Sequence, residues 1–136
     1  MIDVAYIALG SNLGDRSRHL ARARTALGSL PGSKVIGESA VEETDPLGGL
    51  AQNKYLNQMI ALETTLAPLD LLEHLQKIER AEGRTRGERW ASRTLDLDIV
   101  CFERQVVHEP HLDVPHRELP NRDFWQRELA ELRGTP

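Results

Sequence analysis

An α+β fold, an antiparallel sheet with helices packed on it, is what this sequence predicts, and three observations carry the prediction. Apolar runs with strand-like spacing occur four times, two segments repeat their apolar residues at helical spacing, and turn-forming residues separate them. At 136 residues the chain has the size of one domain, residues 1–136, held by one core.

The elements follow in order. Val4 to Leu9 is a compact apolar run that stops at Gly10, where Gly10-Ser11-Asn12 supplies turn chemistry. Asp15 can cap a helix in which His19, Leu20, Ala23 and Leu27 recur at helical spacing, with Pro31-Gly32 as its stop. Lys34 to Glu43 reads as a second strand, leading into a loop around Asp45-Pro46-Leu47-Gly48-Gly49. Tyr55 to Thr64 alternates as a third strand, with Leu56, Gln58, Ile60 and Leu62 on one face. Pro68 suits the first turn of a second helix, in which Leu72, Leu75, Gln76 and Glu79 recur at three and four residues. Gly83 ends that helix and an arginine-rich loop follows. Thr94 to Phe102 makes a fourth strand, and a short terminal helix runs from about Arg122. Strand, helix, strand, strand, helix, strand is the ferredoxin-like order βαββαβ, with helices on one face of the sheet.

Bulk properties narrow the function classes. The formal net charge of -4 gives no general attraction to nucleic acid or anionic membrane, so an anion must be held by a local basic cluster. Cys101 is the only cysteine, which favours a reducing compartment. No apolar run approaches the length that spans a bilayer, and the N-terminus lacks the basic start of a signal peptide. The expectation is a cytoplasmic protein.

Chemistry concentrates in Arg93-Thr94-Leu95-Asp96-Leu97-Asp98-Ile99. Alternation puts Leu95, Leu97 and Ile99 on one strand face and Asp96 and Asp98 on the other. Their Cα atoms then stand roughly 6.5–7 Å apart. Two carboxylates so placed can share hard divalent cations about 3.5–4 Å apart. The plain alternative is a solvated acidic face on a half-buried strand. Arg84, Arg86, Arg89 and Arg93 shift the balance, because arginine presents a planar fork matched to phosphate oxygens. Pairing of those arginines with Glu82 and Glu88 is the competing account. Carboxylates for metal beside arginines for phosphate are the parts phosphoryl transfer requires.

His116, after Pro115, can touch a phosphate or move a proton, or can be structural. His108, His111 and His116 lack a compact ligand motif for zinc. Tyr55 and Phe124 lie near polar groups and can stack on a flat heterocycle, and Asn57 shares a strand face with Tyr55 and can read such a ring's edge. Gly10-Ser11-Asn12-Leu13-Gly14-Asp15 lacks the lysine and hydroxyl of a P-loop and reads as a turn and cap.

Taken in order, GSNLGD at Gly10, TDPLG at Thr44, YLN at Tyr55, QKIE at Gln76, GRTR at Gly83, ERW at Glu88, RTLDLDI at Arg93, VPH at Val114 and NRDF at Asn121 resemble the 6-hydroxymethyl-7,8-dihydropterin pyrophosphokinase family. RTLDLDI followed by VPH is the most specific part. The resemblance implies that ATP gives its β,γ-diphosphoryl group to the pterin's hydroxymethyl oxygen and AMP leaves, a step of folate biosynthesis. Asp96 and Asp98 would hold two Mg²⁺ ions. Arg84 and Arg93 would grip the phosphates, with His116 and Trp90 lining the nucleotide site. Gln76, Glu79, Arg89 and Ile99 would complete that site and Arg122 would reach its phosphate side. The pterin would stack between Tyr55 and Phe124, its edge read by Asn57, Thr44 and the Leu47 backbone. Loops Gly10–Asp15, Asp45–Asn53 and Arg84–Ser92 would close over the substrates. The implied partners are ATP and a reduced pterin, without nucleic acid or membrane, on a monomer.

The chain departs from the family pattern at several points. Ser92 stands where proline usually precedes the arginine, and the stretch from Arg86 to Trp90 looks one residue short. Glu42 replaces an aromatic, Arg117 follows His116 in place of proline or tyrosine, and the Pro- and Leu-rich tail after Phe124 is absent. Two rival readings therefore stand beside an enzyme: a relative that binds pterin or nucleotide with little turnover, and a ferredoxin-like interaction domain.

Overall fold

Strand β1 (Asp3–Ser11) is the inner strand around which the sheet is built. Among the described residues the sheet has five strands, and its main path runs β2 (Ser33–Glu38), β4 (Tyr55–Thr64), β1, β5 (Asp96–Phe102), every pairing antiparallel. The computed structural model describes residues 1–45, 54–83 and 94–134. Of the three loops expected to close, 46–53 and 84–92 fall outside those residues. The third is partly strand: Gly10 and Ser11 belong to β1, and Ser11 and Asn12 are fully buried.

Helix α1 (Arg16–Gly28) is capped by Asp15, whose carboxylate accepts from the Arg18 N–H at 3.2 Å. It ends at Gly28, short of Pro31-Gly32, which form the following turn. Helix α2 (Pro68–Ala81) starts on its proline as expected. Both lie on one face of the sheet, where Leu20, Ala23 and Leu27 of α1 and Leu71 and Leu75 of α2 meet Ile7, Leu9, Ile60, Leu62, Leu97 and Ile99.

The long second strand expected over Lys34–Glu43 is two strands. β2 ends at Glu38 and β3 (Glu42–Thr44) pairs with β4 further along. Ser39 makes the break: its N–H donates to the Met59 carbonyl, its Oγ accepts the Met59 N–H, and its carbonyl accepts from Gln58. A side chain thus stands in for one rung of the ladder. Beyond β5 the chain adds a hairpin, β6 (Val107–Glu109) with β7 (Leu112–Val114), which the sequence reading did not anticipate.

The terminal helix α3 (Asp123–Leu132) starts where expected but covers the opposite face of the sheet from α1 and α2. The expectation of helices on one face is corrected here. Trp125 and Leu129 pack there on Tyr6, Ala8, Met59, Ala61, Val100 and Cys101. The physical reason lies in β4, where Asn57 to Leu62 are buried on both faces, so the sheet needs a layer on each side. Among the described residues no helix is long and apolar enough to cross a membrane.

Candidate active site

The register brings distant segments into rows across the α3 face of the sheet. Asn57 on β4, Gly10 on β1 and Asp96 on β5 form one row, and Met59, Ala8 and Asp98 form the next. Asn57 and Asp96 are therefore two strand spacings apart, roughly 10 Å. Gly10 and Ala8 keep the floor between them low. A Cβ at Gly10 would already stand 3.4 Å from both the Asn57 Oδ1 and the Tyr55 ring. Asn57 is buried and its amide donates to the Thr44 hydroxyl, which ties β3 to the row. Tyr55, Asn57 and Thr44 are thus brought together, as the sequence reading required.

Asp96 and Asp98 are half-buried on this face, while Leu95 and Leu97 are buried behind them in the helix-side core. That placement matches the alternation read from the sequence. A bulge then breaks the alternation: Tyr6 pairs with Cys101 and Ile7 with Ile99, so Val100 is the extra residue and joins the α3-side core beside Cys101. The Val100 carbonyl on the open edge of β5 accepts the backbone N–H of His116 at 2.7 Å. His116 is thereby set beside the aspartates, its Nε2 3.7 Å from Asp98 Oδ1. The Glu118 N–H donates to His116 Nδ1 at 3.0 Å. An acceptor nitrogen carries no hydrogen, so the neutral ring holds its proton on Nε2, towards Asp98.

Trp125 supports this corner, a role the sequence reading did not assign. His116 meets its ring edge-on at 4.9 Å, the Arg122 guanidinium lies 4.3 Å from its centroid, and Phe124 packs at 6.2 Å. The signal in the sequence is only a tryptophan three residues after Arg122, one helical turn on. Arg122 and Phe124 are half-buried and share this corner with His116.

Other expected residues sit elsewhere. Ile99 turns its side chain into the helix-side core, away from the aspartates. Glu79 is buried, and its carboxylate accepts the Leu97 N–H at 2.8 Å. Gln76 is exposed on α2. Leu47, Arg84, Arg89, Trp90 and Arg93 lie outside the described residues.

The donor set tests the fit to a metal. Among the described residues no cluster of three or more His, Cys, Asp or Glu side chains is arranged to hold an ion. Two carboxylates are a poor cage for calcium or zinc, but they suit Mg²⁺, which keeps waters and takes substrate phosphate oxygens as its remaining ligands. Asp96 and Asp98 fit that role.

Comparison with known proteins gives the same direction. The family model of 7,8-dihydro-6-hydroxymethylpterin-pyrophosphokinase matches residues 6–134. A Pseudomonas aeruginosa protein named 2-amino-4-hydroxy-6-hydroxymethyldihydropteridine pyrophosphokinase is 44% identical over 97% of this chain and 82% of its own length. Proteins of the same name from Bacillus subtilis and Haemophilus influenzae are 43% and 41% identical, over 97% and 94% of this chain and 79% and 80% of theirs. With a sheet that aligns Asn57, Gly10 and Asp96 and a family match across nearly its whole length, the chain belongs to the 7,8-dihydro-6-hydroxymethylpterin-pyrophosphokinase family.

Proposed function

We propose that this chain transfers the β,γ-diphosphoryl group of ATP to the hydroxymethyl oxygen of 6-hydroxymethyl-7,8-dihydropterin, releasing AMP. The observation that supports the reading is the row Asn57–Gly10–Asp96, in which an amide and a carboxylate stand on either side of a glycine. Relatives sharing 41–44% of its residues bear the name of that activity.

The chemistry divides between the two ends of the row. At the β4 end, Tyr55 offers a ring face and Asn57 and Thr44 offer hydrogen bonds to the pterin edge; Phe124, from the His116 corner, would take the ring's other face and the Leu47 backbone would read its edge. At the β5 end, Asp96 and Asp98 would hold two Mg²⁺ ions, which supply charge neutralisation for the triphosphate and lower the pKa of a bound hydroxyl. In the transfer, a bond forms between the pterin oxygen and the β-phosphorus as the bond from that phosphorus to the α-phosphate oxygen breaks. The pterin hydroxyl's proton passes to solvent and AMP departs with the released oxygen. His116 presents its Nε2 hydrogen to a phosphate oxygen near Asp98. Arg84, Arg93 and Arg122 would neutralise charge on the transferring group, and Arg89, Trp90 and Gln76 would bind the nucleotide. The alternative, a binding relative with little turnover, is separated by one assay. ATP, Mg²⁺ and the reduced hydroxymethylpterin should yield AMP and the pterin diphosphate in equal amounts, and absence of both products refutes the proposal.

A further inference from the structure

Among the described residues strand β5 is an edge of the sheet, and the outward backbone groups of an edge strand have no ladder partner. This strand bears both aspartates, so any fraying or sliding of it changes their separation and aim. Two outward groups are tied down. The Val100 carbonyl takes the His116 N–H, and the Leu97 N–H is taken by Glu79 of α2 at 2.8 Å. Leu97 is the residue between Asp96 and Asp98, so the second tie falls midway between the two carboxylates. The tie is buried: Glu79 is 7% exposed and Leu97 5%. A hydrogen bond from a backbone amide to a buried carboxylate is charge-assisted and short, and losing it strands a buried polar group.

We infer that Glu79 is a positioning residue, whose carboxylate fixes the spacing and direction of Asp96 and Asp98 through the Leu97 amide. The inference rests on the proposed role of those aspartates as metal ligands. It differs from the family-based expectation that Glu79 lines the nucleotide pocket. A buried, folded-in carboxylate on the helix side of the strand acts on the site through the backbone, in the manner of the outer partners that orient metal ligands.

The test reads position without turnover. Amide exchange of Leu97 is measured in the full-length chain by NMR, and Mn²⁺ affinity is measured with a non-hydrolysable ATP analogue by titration. In Glu79→Leu, Leu97 should exchange about tenfold faster or more, and Mn²⁺ affinity should fall roughly 10–100-fold. Glu79→Asp, which keeps the charge but draws the acceptor back by one methylene, should show the same losses and serves if the leucine variant does not fold. Glu79→Gln keeps an acceptor in place and should retain Leu97 protection and most of the Mn²⁺ affinity. Two results overturn the inference: wild-type exchange and Mn²⁺ affinity in a folded Leu or Asp variant, or a Gln variant that keeps Leu97 protection yet loses Mn²⁺ affinity as the Leu variant does. A wild-type chain that releases no AMP would instead refute the proposed function and leave these two measurements standing.

Discussion

Asp96 and Asp98 differ from an ordinary polar strand face in what lies across from them. A solvated face would have large or charged partners on β1, whereas here Asp96 pairs with Gly10 and Asp98 with Ala8, neither of which brings a large or charged side chain beside the carboxylates. Replacing either aspartate by asparagine removes charge while keeping shape. Turnover should fall on the order of a thousandfold or more, as for loss of a main electrostatic element. Thermal unfolding should stay within a few degrees, and a retained rate would remove these residues from the mechanism. Gly10 allows a second check at this scale. Its missing Cβ would already be at contact with Asn57 and Tyr55, so Gly10→Val must push one of them away. Overpacking of that kind costs about 1–3 kcal/mol, or roughly five- to 150-fold if it falls on pterin affinity. KM for ATP should move far less, and a pterin KM equal to wild type would show that the floor is not part of the subsite. The alternation of the aspartates was legible in the sequence because a strand has a period of two. The bulge at Val100 was not, since nothing in Ile99-Val100-Cys101 distinguishes an extra residue from a paired one, and with it went the tie that seats His116.

At the scale of elements, α3 carries a buried carboxylate that its helical pattern does not explain. Glu128 is 3% exposed, and its carboxyl lies against that of Glu42, to which it hydrogen-bonds when protonated. Burial foremost, then the charge of Glu42 on β3, pushes its carboxyl up to about 8, with Glu131 adding to the rise and Arg127 opposing it. Arg127 itself reaches Glu42 at 3.2 Å, and Glu131 accepts the Ala40 N–H at 2.9 Å, so α3 meets the Glu38–Thr44 segment through a dense set of charges. The group is raised on folding, so the folded chain binds the proton more tightly than the unfolded one. Its contribution to stability is complete below the ordinary carboxyl range near 4.5 and is lost as pH rises through about 8. Wild type should lose on the order of 1–3 kcal/mol more than Glu128→Gln between pH 5 and 9. Urea unfolding at several pH values measures this, and parallel slopes for the two proteins would show that Glu128 does not titrate in that range. The helix and its start were readable from spacing, but the face it covers was not. Periodicity says which residues share a side and is silent on which partner lies against it. The apolar run from Met59 to Leu62 was the available sign of a two-sided sheet. The split of β2 from β3 depends on Ser39 replacing a ladder bond, a substitution invisible in a run that reads as extended throughout.

For the whole molecule, the sheet separates two cores with different duties. The core under α1 and α2 joins Leu20, Leu27, Leu71 and Leu75 to Ile7, Ile60 and Leu62, and holds the strands together. The core under α3 is smaller, and its outer wall is the site itself, since Trp125 carries His116, Arg122 and Phe124 on its ring. Destabilising the two cores equally should therefore have unequal effects on the reaction. Leu27→Ala removes a fully buried side chain far from the aspartates and should cost about 2–5 kcal/mol. Trp125→Ala removes a side chain 2% exposed and should cost about 3–5 kcal/mol, a comparable amount. Activity normalised to the folded fraction separates them. In Leu27→Ala each folded molecule should turn over at close to the wild-type rate, because no group on the α3 face has moved. In Trp125→Ala the folded molecules should remain at least tenfold slow, because His116 loses the ring that fixes its aim and Arg122 the face on which it rests. Trp125→Phe keeps an aromatic surface and should recover part of that rate. Equal normalised rates in the two alanine variants would mean that α3 supports the fold alone, and that the corner of His116 and Arg122 is set from β5 and the chain after β7.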